Sequence, residues 1–141
     1  MEWRQNGFTL TDERTQVKID TVAHLLAGTH WGYRRPRPVV ERLVENSLCF
    51  SLFRNTEQVG FARVVTDHTV FSWLSDLVIS PELRGQGLGK WLLKCILDHP
   101  AISDTQFVLQ TRDAHRLYES FGFQQSDKLI TRPGKIPGAP K

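Results

Sequence analysis

The chain has 141 residues, of which 40% are hydrophobic and 23% are charged. That length and apolar content predict one globular domain, and a second domain is not expected. The formal net charge of +3 is a small excess, which suits an anionic small molecule and does not mark a nucleic-acid binder. The N-terminus carries no apolar signal segment, and no run approaches the roughly 18 apolar residues that span a membrane. We therefore expect a cytoplasmic protein with no membrane partner.

The first half of the chain alternates helical and strand patterns. Its predicted elements are a strand at 8–10, a helix capped by Asp20, a helix at 39–45, and strands at 48–54 and 59–65. The segment THWGYRRPRP separates the two helices and is interpreted as an exposed loop. Cys49 and Cys95 lie in apolar surroundings without close Cys or His partners, so they predict reduced core thiols and no zinc site.

The second half continues the mixed pattern. Its predicted elements are a strand at 71–79, an amphipathic helix from Leu88, a strand at 106–111, a helix capped by Asp113 and a last strand from Phe123. Within the strand 71–79, simple alternation puts Leu74, Asp76 and Val78 on one face. The tail over 131–141 is rich in Pro, Gly and Lys, and is expected to be flexible.

A glycine-rich loop, PELRGQGLGK at 81–90, joins the longest strand of this half to the amphipathic helix. Such a loop presents free backbone N–H groups and the positive end of the helix dipole, so phosphate is its natural ligand. A Walker loop is excluded because Arg84 stands where its first glycine is required and Trp91 replaces its hydroxyl residue. A dinucleotide fingerprint is excluded because Lys90 or Leu92 stands at its third glycine.

Two blocks of sequence carry a resemblance to a known family. Arg84-x-x-Gly87-x-Gly89 follows a strand and opens a helix, and AHRLYESFGF at 114–123 follows one strand later. Together they resemble the acetyl-CoA signature and the A-x-x-x-Y-x-x-x-G-F helix of the GNAT superfamily of N-acetyltransferases. The resemblance covers 71–123 in detail. It implies an α/β (α+β) fold with a mixed, mostly antiparallel sheet of about six to seven strands, splayed at the cofactor site and flanked by about four helices.

The same resemblance implies acetyl-CoA as co-substrate, with no metal. The loop would hold the pyrophosphate through the backbone of Arg84, Gly85, Gln86, Gly87, Leu88, Gly89 and Lys90. The strand segment Leu77, Val78 and Ile79 would pair with the pantetheine arm, and a donor near Val78 would polarise the thioester carbonyl. Thr111 stands where the family often has a pantetheine-binding asparagine. Arg112, His115 and Arg116 either meet the adenosine 3′-phosphate or form a solvated helix face.

Tyr118 is the predicted general acid, because the family places its motif tyrosine beside the departing thiolate and a phenol can protonate it. The alternative is an aromatic residue that only fills the core. Asp76 is the predicted proton acceptor or anchor of a cationic acceptor, and the alternative is a polar strand residue satisfied by nearby backbone donors. Glu57, in a turn, is a weaker candidate for the base.

The loop between the first two helices commonly forms a wall of the acceptor site in this family. His30, Trp31 and Tyr33 lie in it, and they either enclose the acceptor or pack the loop. Trp73, in the strand 71–79, is a further candidate for binding the acceptor. We therefore predict an N-acetyltransferase acting on a primary amine of a small molecule or peptide, by direct attack in a ternary complex of a monomer or homodimer. A catalytically silent acyl-CoA sensor is the alternative, and a nucleic-acid-binding domain is a third option.

Overall fold

A computed structural model describes residues 1–139, so Pro140 and Lys141 lie outside the described part of the predicted tail. The strands are β1 (Glu2–Gln5), β2 (Phe8–Thr11), β3 (Leu48–Arg54), β4 (Glu57–Thr66), β5 (Phe71–Ile79) and β6 (Gln106–Val108). The helices are α1 (Ile19–Ala27), α2 (Arg37–Glu45), α3 (Leu88–Leu97) and α4 (His115–Glu119). The strands form one sheet in chain order, antiparallel from β1 to β5, with β6 parallel to β5. This mixed sheet with four helices confirms the predicted fold class.

Two apolar clusters pack against opposite faces of the sheet. The cluster of α1 and α2 includes Cys49, Phe61 and Val78, whereas the cluster of α3 includes Phe50 and Leu52. Cys49 and Phe50 are consecutive in β3 and reach different clusters, as the alternation of side chains in a strand requires. Both cysteines are buried and free, and burial raises the pKa of the Cys49 thiol to about 11. These thiols are core residues, as predicted.

The predicted faces of β5 are wrong beyond its middle. Leu74 and Ile79 contribute to the α3 cluster and Val78 to the opposite one, although simple alternation puts Leu74 and Val78 on the same face. The register between β4 and β5 shifts between Phe61 and Arg63. A β-bulge of this kind adds one residue to a strand and so reverses the alternation after it.

Several further elements differ from the sequence predictions: β1 was not predicted, and the strand predicted at 106–111 ends at Val108. Helix α1 begins at Ile19, so Asp20 lies in its first turn and does not cap it. At α4, Asp113 makes no capping bond; the hydroxyl of Thr111 instead accepts a hydrogen bond from the Ala114 N–H at 3.0 Å. The strand predicted from Phe123 is absent from the described residues, which have no regular structure from 123 to 139.

Candidate active site

A cavity of about 1360 Å³ lies where β5 and β6 part. The two strands pair only from Phe71 opposite Gln106 to Trp73 opposite Val108, while β5 continues six residues further to Ile79. The cavity is lined by β5 from Trp73 to Leu77, by 30–31 and 33–35, by 106–115, by α4, and by segments between 123 and 139. The predicted splay of the sheet is therefore present, and it exposes one edge of β5 to this cavity.

The backbone of β5 bulges at Asp76, on the wall of this cavity. Its φ angle of 56° lies in the left-handed region, which a residue with a side chain rarely adopts. Such a conformation costs of order 1–3 kcal/mol and persists only where its surroundings hold it. The side chain of Asp76 has no exposed surface, and its contacts stabilise this backbone conformation.

Three donors bind the Asp76 carboxylate. Arg35 Nη1 lies 2.6 Å from Oδ1, Arg63 Nε lies 2.6 Å from Oδ2, and Trp31 Nε1 donates to Oδ1 at 2.9 Å. The Arg35 and Arg63 side chains are only 4% and 13% exposed. Burial opposes ionisation of the carboxyl, but the two guanidinium charges and their hydrogen bonds outweigh it and lower the pKa of Asp76.

These contacts bear on the two interpretations of Asp76. A carboxylate with a lowered pKa and both oxygens bound to guanidinium groups is a poor acceptor for an amine proton, and its charge is already compensated. The geometry favours a residue that fixes the bulge. Glu57, the weaker candidate, lies at the β3–β4 turn, pairs with Arg54 and does not line the cavity.

Sequence reasoning missed the two arginines. Arg35 belongs to a run interpreted as an exposed loop, but its side chain is buried, and Arg37 and Pro38 begin α2. Arg63 stands in the apolar strand pattern VGFARVV, and a charged residue there was a usable signal, because a buried charge requires a partner on a neighbouring strand. Asp76 is the one acidic residue of β5, and so it is the partner that this strand offers to Arg63.

Tyr118 lies on α4 and lines the same cavity. Its ring packs edge-on against Phe123 at 5.7 Å between centroids. Burial raises the pKa of its hydroxyl, so the phenol stays protonated at neutral pH. No other residue between 1 and 139 hydrogen-bonds this hydroxyl, which leaves it available to a ligand.

The four predicted acceptor-side residues all reach the cavity wall: His30, Trp31, Tyr33 and Trp73. His30 and Trp31 pack edge-on at 5.0 Å, and Trp31 is fixed by its bond to Asp76. Thr111 lines the cavity as well, with its hydroxyl already bonded at the start of α4. Of the predicted pantetheine segment, Leu77 lines the cavity and packs against the α3 cluster, whereas the side chains of Val78 and Ile79 are buried in the two cores.

The glycine loop lies between β5 and α3. Gly85 and Gly87 have φ angles of 82° and 80°, and a side chain at either would point into open space. Helix α3 starts at Leu88 without a side-chain cap, so its first-turn N–H groups lack a capping partner. Arg84 Nε donates to the Ile79 carbonyl at 3.2 Å and ties the loop to the end of β5. This open, uncapped helix start fits an anionic group such as a pyrophosphate.

Comparison with known proteins shows which family this chain belongs to. The family model described as "Acetyltransferase (GNAT) domain" matches residues 45–125, more than half of the chain. The chain belongs to the GNAT family of acetyltransferases. A crystal structure of a GNAT-family protein from Xanthomonas campestris pv. campestris is 32% identical, with a TM-score of 0.87 over 96% of this chain and 97% of that one.

Two curated relatives agree with this membership. A protein of Gracilaria tenuistipitata var. liui, named as an uncharacterized N-acetyltransferase, is 31% identical over 86% of this chain and 67% of its own length. A protein of Gibberella zeae, named as an acetyltransferase, is 25% identical over 67% of this chain. The GNAT chain described here spans 64% of that fungal protein's length. No helix within residues 1–139 has the length and apolar character to cross a bilayer.

Proposed function

We propose that this GNAT protein transfers the acetyl group of acetyl-CoA to a primary amine of a small molecule or peptide. The observation that carries the proposal is the meeting of three features on one cavity. These are the free edge of β5 at the Asp76 bulge, the unbonded hydroxyl of Tyr118, and the aromatic wall formed by His30, Trp31 and Tyr33. The first two suit the thioester, and the third bounds a space for the acceptor.

Acetyl-CoA would lie along the parting of the strands. The uncapped start of α3 and the loop over 84–90 would hold its pyrophosphate, and the free edge of β5 at 77–79 would pair with its pantetheine arm. Thr111 would border the arm from the opposite side. Because β6 leaves β5 after Trp73, backbone donors on this edge are available to the thioester carbonyl.

The transfer is a direct displacement. The neutral amine attacks the thioester carbon, a C–N bond forms, and the carbonyl oxygen takes up negative charge that a β5 backbone donor near Val78 stabilises. The C–S bond then breaks, and Tyr118 donates its hydroxyl proton to the departing thiolate. The amine releases one proton to water, and the phenol recovers a proton from water. No step uses a cysteine, since the Cys49 thiol is buried with a raised pKa.

Asp76 acts in this scheme as a positioning residue. Its three bonds to Trp31, Arg35 and Arg63 hold a left-handed residue in the strand that carries the donors. The same contacts orient Trp31 on the acceptor wall. One buried carboxylate therefore fixes both sides of the proposed reaction space.

The proposal is tested by thiol release from acetyl-CoA across a panel of polyamines, amino acids, aminoglycosides and lysine peptides, with coenzyme A binding measured by calorimetry. We expect binding of coenzyme A together with amine-dependent thiol release. Binding without release for any amine would support the silent acyl-CoA sensor instead. Absence of binding at millimolar coenzyme A would contradict both.

Replacing Gly87 with alanine should weaken coenzyme A binding by about tenfold, equivalent to about 1.4 kcal/mol. A Cβ at φ 80° costs roughly 1–2 kcal/mol, and it would project into the open space before α3. Gly7→Ala is the matched control: Gly7 also has a positive φ, of 83°, and open space around its Cβ position, but it lies in the β1–β2 turn. Equal affinities of the two variants would argue against the loop as the pyrophosphate site.

A further inference from the structure

The last described segment of the chain returns to the active-site cavity. Residues 134–139 line it together with Trp73, Asp76 and Tyr118. One contact fastens the segment: Arg35 Nε donates to the Gly138 carbonyl at 2.9 Å, with the arginine side chain almost fully buried. The segment therefore docks on the same guanidinium that binds Asp76.

The local sequence Ile-Pro-Gly-Ala at 136–139 forms a tight turn that presents the Gly138 carbonyl to Arg35. The Ala139 N–H donates to the Ile136 carbonyl at 2.9 Å, which closes a four-residue turn with Pro137 and Gly138 at its centre. Proline followed by a residue of positive φ is the pattern of a type II turn, and Gly138 has φ 78°. A Cβ on Gly138 would lie 2.3 Å from Arg35 Cγ, so backbone conformation and available space both demand glycine there.

Arg35 is consequently shared between two parts of the site. Its Nη1 binds Asp76 Oδ1 at 2.6 Å inside the bulge of β5, and its Nε binds the tail. Arg35 lies two residues after Tyr33, in the same loop as His30 and Trp31, and this loop lines the acceptor side of the cavity. A segment fastened at this arginine lies on the acceptor side and shares that wall.

We infer that this contact, which we call the Arg35–Gly138 clasp, makes residues 134–139 a specificity-determining wall that admits small amines and excludes lysines on folded proteins. The inference rests on the proposed function and narrows its acceptor class. A lysine on a folded surface must bring the surrounding protein up to the cavity, and the docked segment forms part of the wall that this protein would meet. A small amine meets no such obstacle.

The test is Gly138→Ala in the full chain, with Gly7→Ala as the control for placing alanine at positive φ. Acetylation is measured for the small amine that the wild-type protein turns over fastest and for the lysines of folded cytochrome c. We expect the ratio of cytochrome c to small-amine turnover to rise by about tenfold in Gly138→Ala, a change of about 1.4 kcal/mol in relative barrier. The ratio in Gly7→Ala should equal that of the wild type.

Hydrogen exchange at the Ala139 amide reports on docking independently of activity. We expect protection in the wild type and in Gly7→Ala, and loss of protection in Gly138→Ala. An unchanged turnover ratio despite lost protection would overturn the specificity claim, and an unprotected wild-type amide would overturn the clasp itself. If the wild-type protein acetylates no amine, the proposed function is wrong, and so is the claim about its acceptor. Hydrogen exchange at the Ala139 amide would still show whether the segment docks.

Discussion

Replacing Asp76 with alanine is expected to lower the free energy of unfolding by about 3–5 kcal/mol. The change leaves the guanidinium groups of Arg35 and Arg63 buried without their counter-charge, and it frees a strand residue whose left-handed backbone the side chain holds. Urea unfolding measures the loss. Asp20→Ala is the control, because Asp20 also pairs with an arginine, Arg37, but is 83% exposed. Its loss should be about 0–1 kcal/mol, and equal losses in the two variants would contradict the account of the bulge.

The stabilisation from Asp76 should also depend on pH. Its pKa is lowered in the folded protein, so the ionised carboxylate stabilises the fold at every pH above the unfolded pKa, which is about 3.9. As the pH falls below that value and through the lower folded pKa, the stabilisation is lost. We expect the stability difference between the wild type and Asp76→Ala to be constant at neutral pH and to shrink below about pH 4. A difference that grew on acidification would contradict this assignment.

Replacing Tyr118 with phenylalanine is expected to reduce kcat by about 10²-fold, the usual size of a general-acid contribution. The departing thiolate would lose its proton donor, while the phenyl ring would keep its edge-on packing against Phe123. Steady-state kinetics with the best amine of the panel measures the effect. Coenzyme A affinity and the melting temperature should stay close to those of the wild type, because the hydroxyl bonds no other described residue. Full turnover in this variant would leave Tyr118 as a packing residue only.

Local sequence signals missed β1 and predicted a strand from Phe123 that the described residues lack, but they were sufficient for β3, β4 and β5, for α3 and for the glycine loop. Each of these elements is specified by spacing within a few residues: β3, β4 and β5 by apolar runs bounded by turns, and α3 by an apolar face that begins at Leu88. The same periodicity failed within β5, because a bulge at Asp76 arises from contacts with Arg35 and Arg63, which are distant in sequence. The alternation of apolar and polar residues along a strand carries no information about a partner that is distant in sequence.

The cavity walls likewise combine features that local sequence predicts with features that depend on contacts between distant residues. Tyr118 and the loop at 84–90 lie within motifs that could be recognised in the chain. The buried position of Arg35 could not be foreseen, because the run RRPRP has the composition of a solvated loop. The docking of 134–139 was equally hidden, since a Pro- and Gly-rich tail predicts flexibility, and only the meeting of Gly138 with Arg35 gives the turn a place to dock.

The measurement that tests the central claim most directly is a single turnover with the protein in excess over acetyl-CoA labelled in the acetyl group. Without an amine, we predict that the label stays in acetyl-CoA and none is bound to the protein. On addition of the acceptor amine, all of it should move to the N-acetyl product in one kinetic phase. Label that first accumulated on the protein would contradict direct attack, and label that never reached an amine would contradict the proposed acetyltransferase activity.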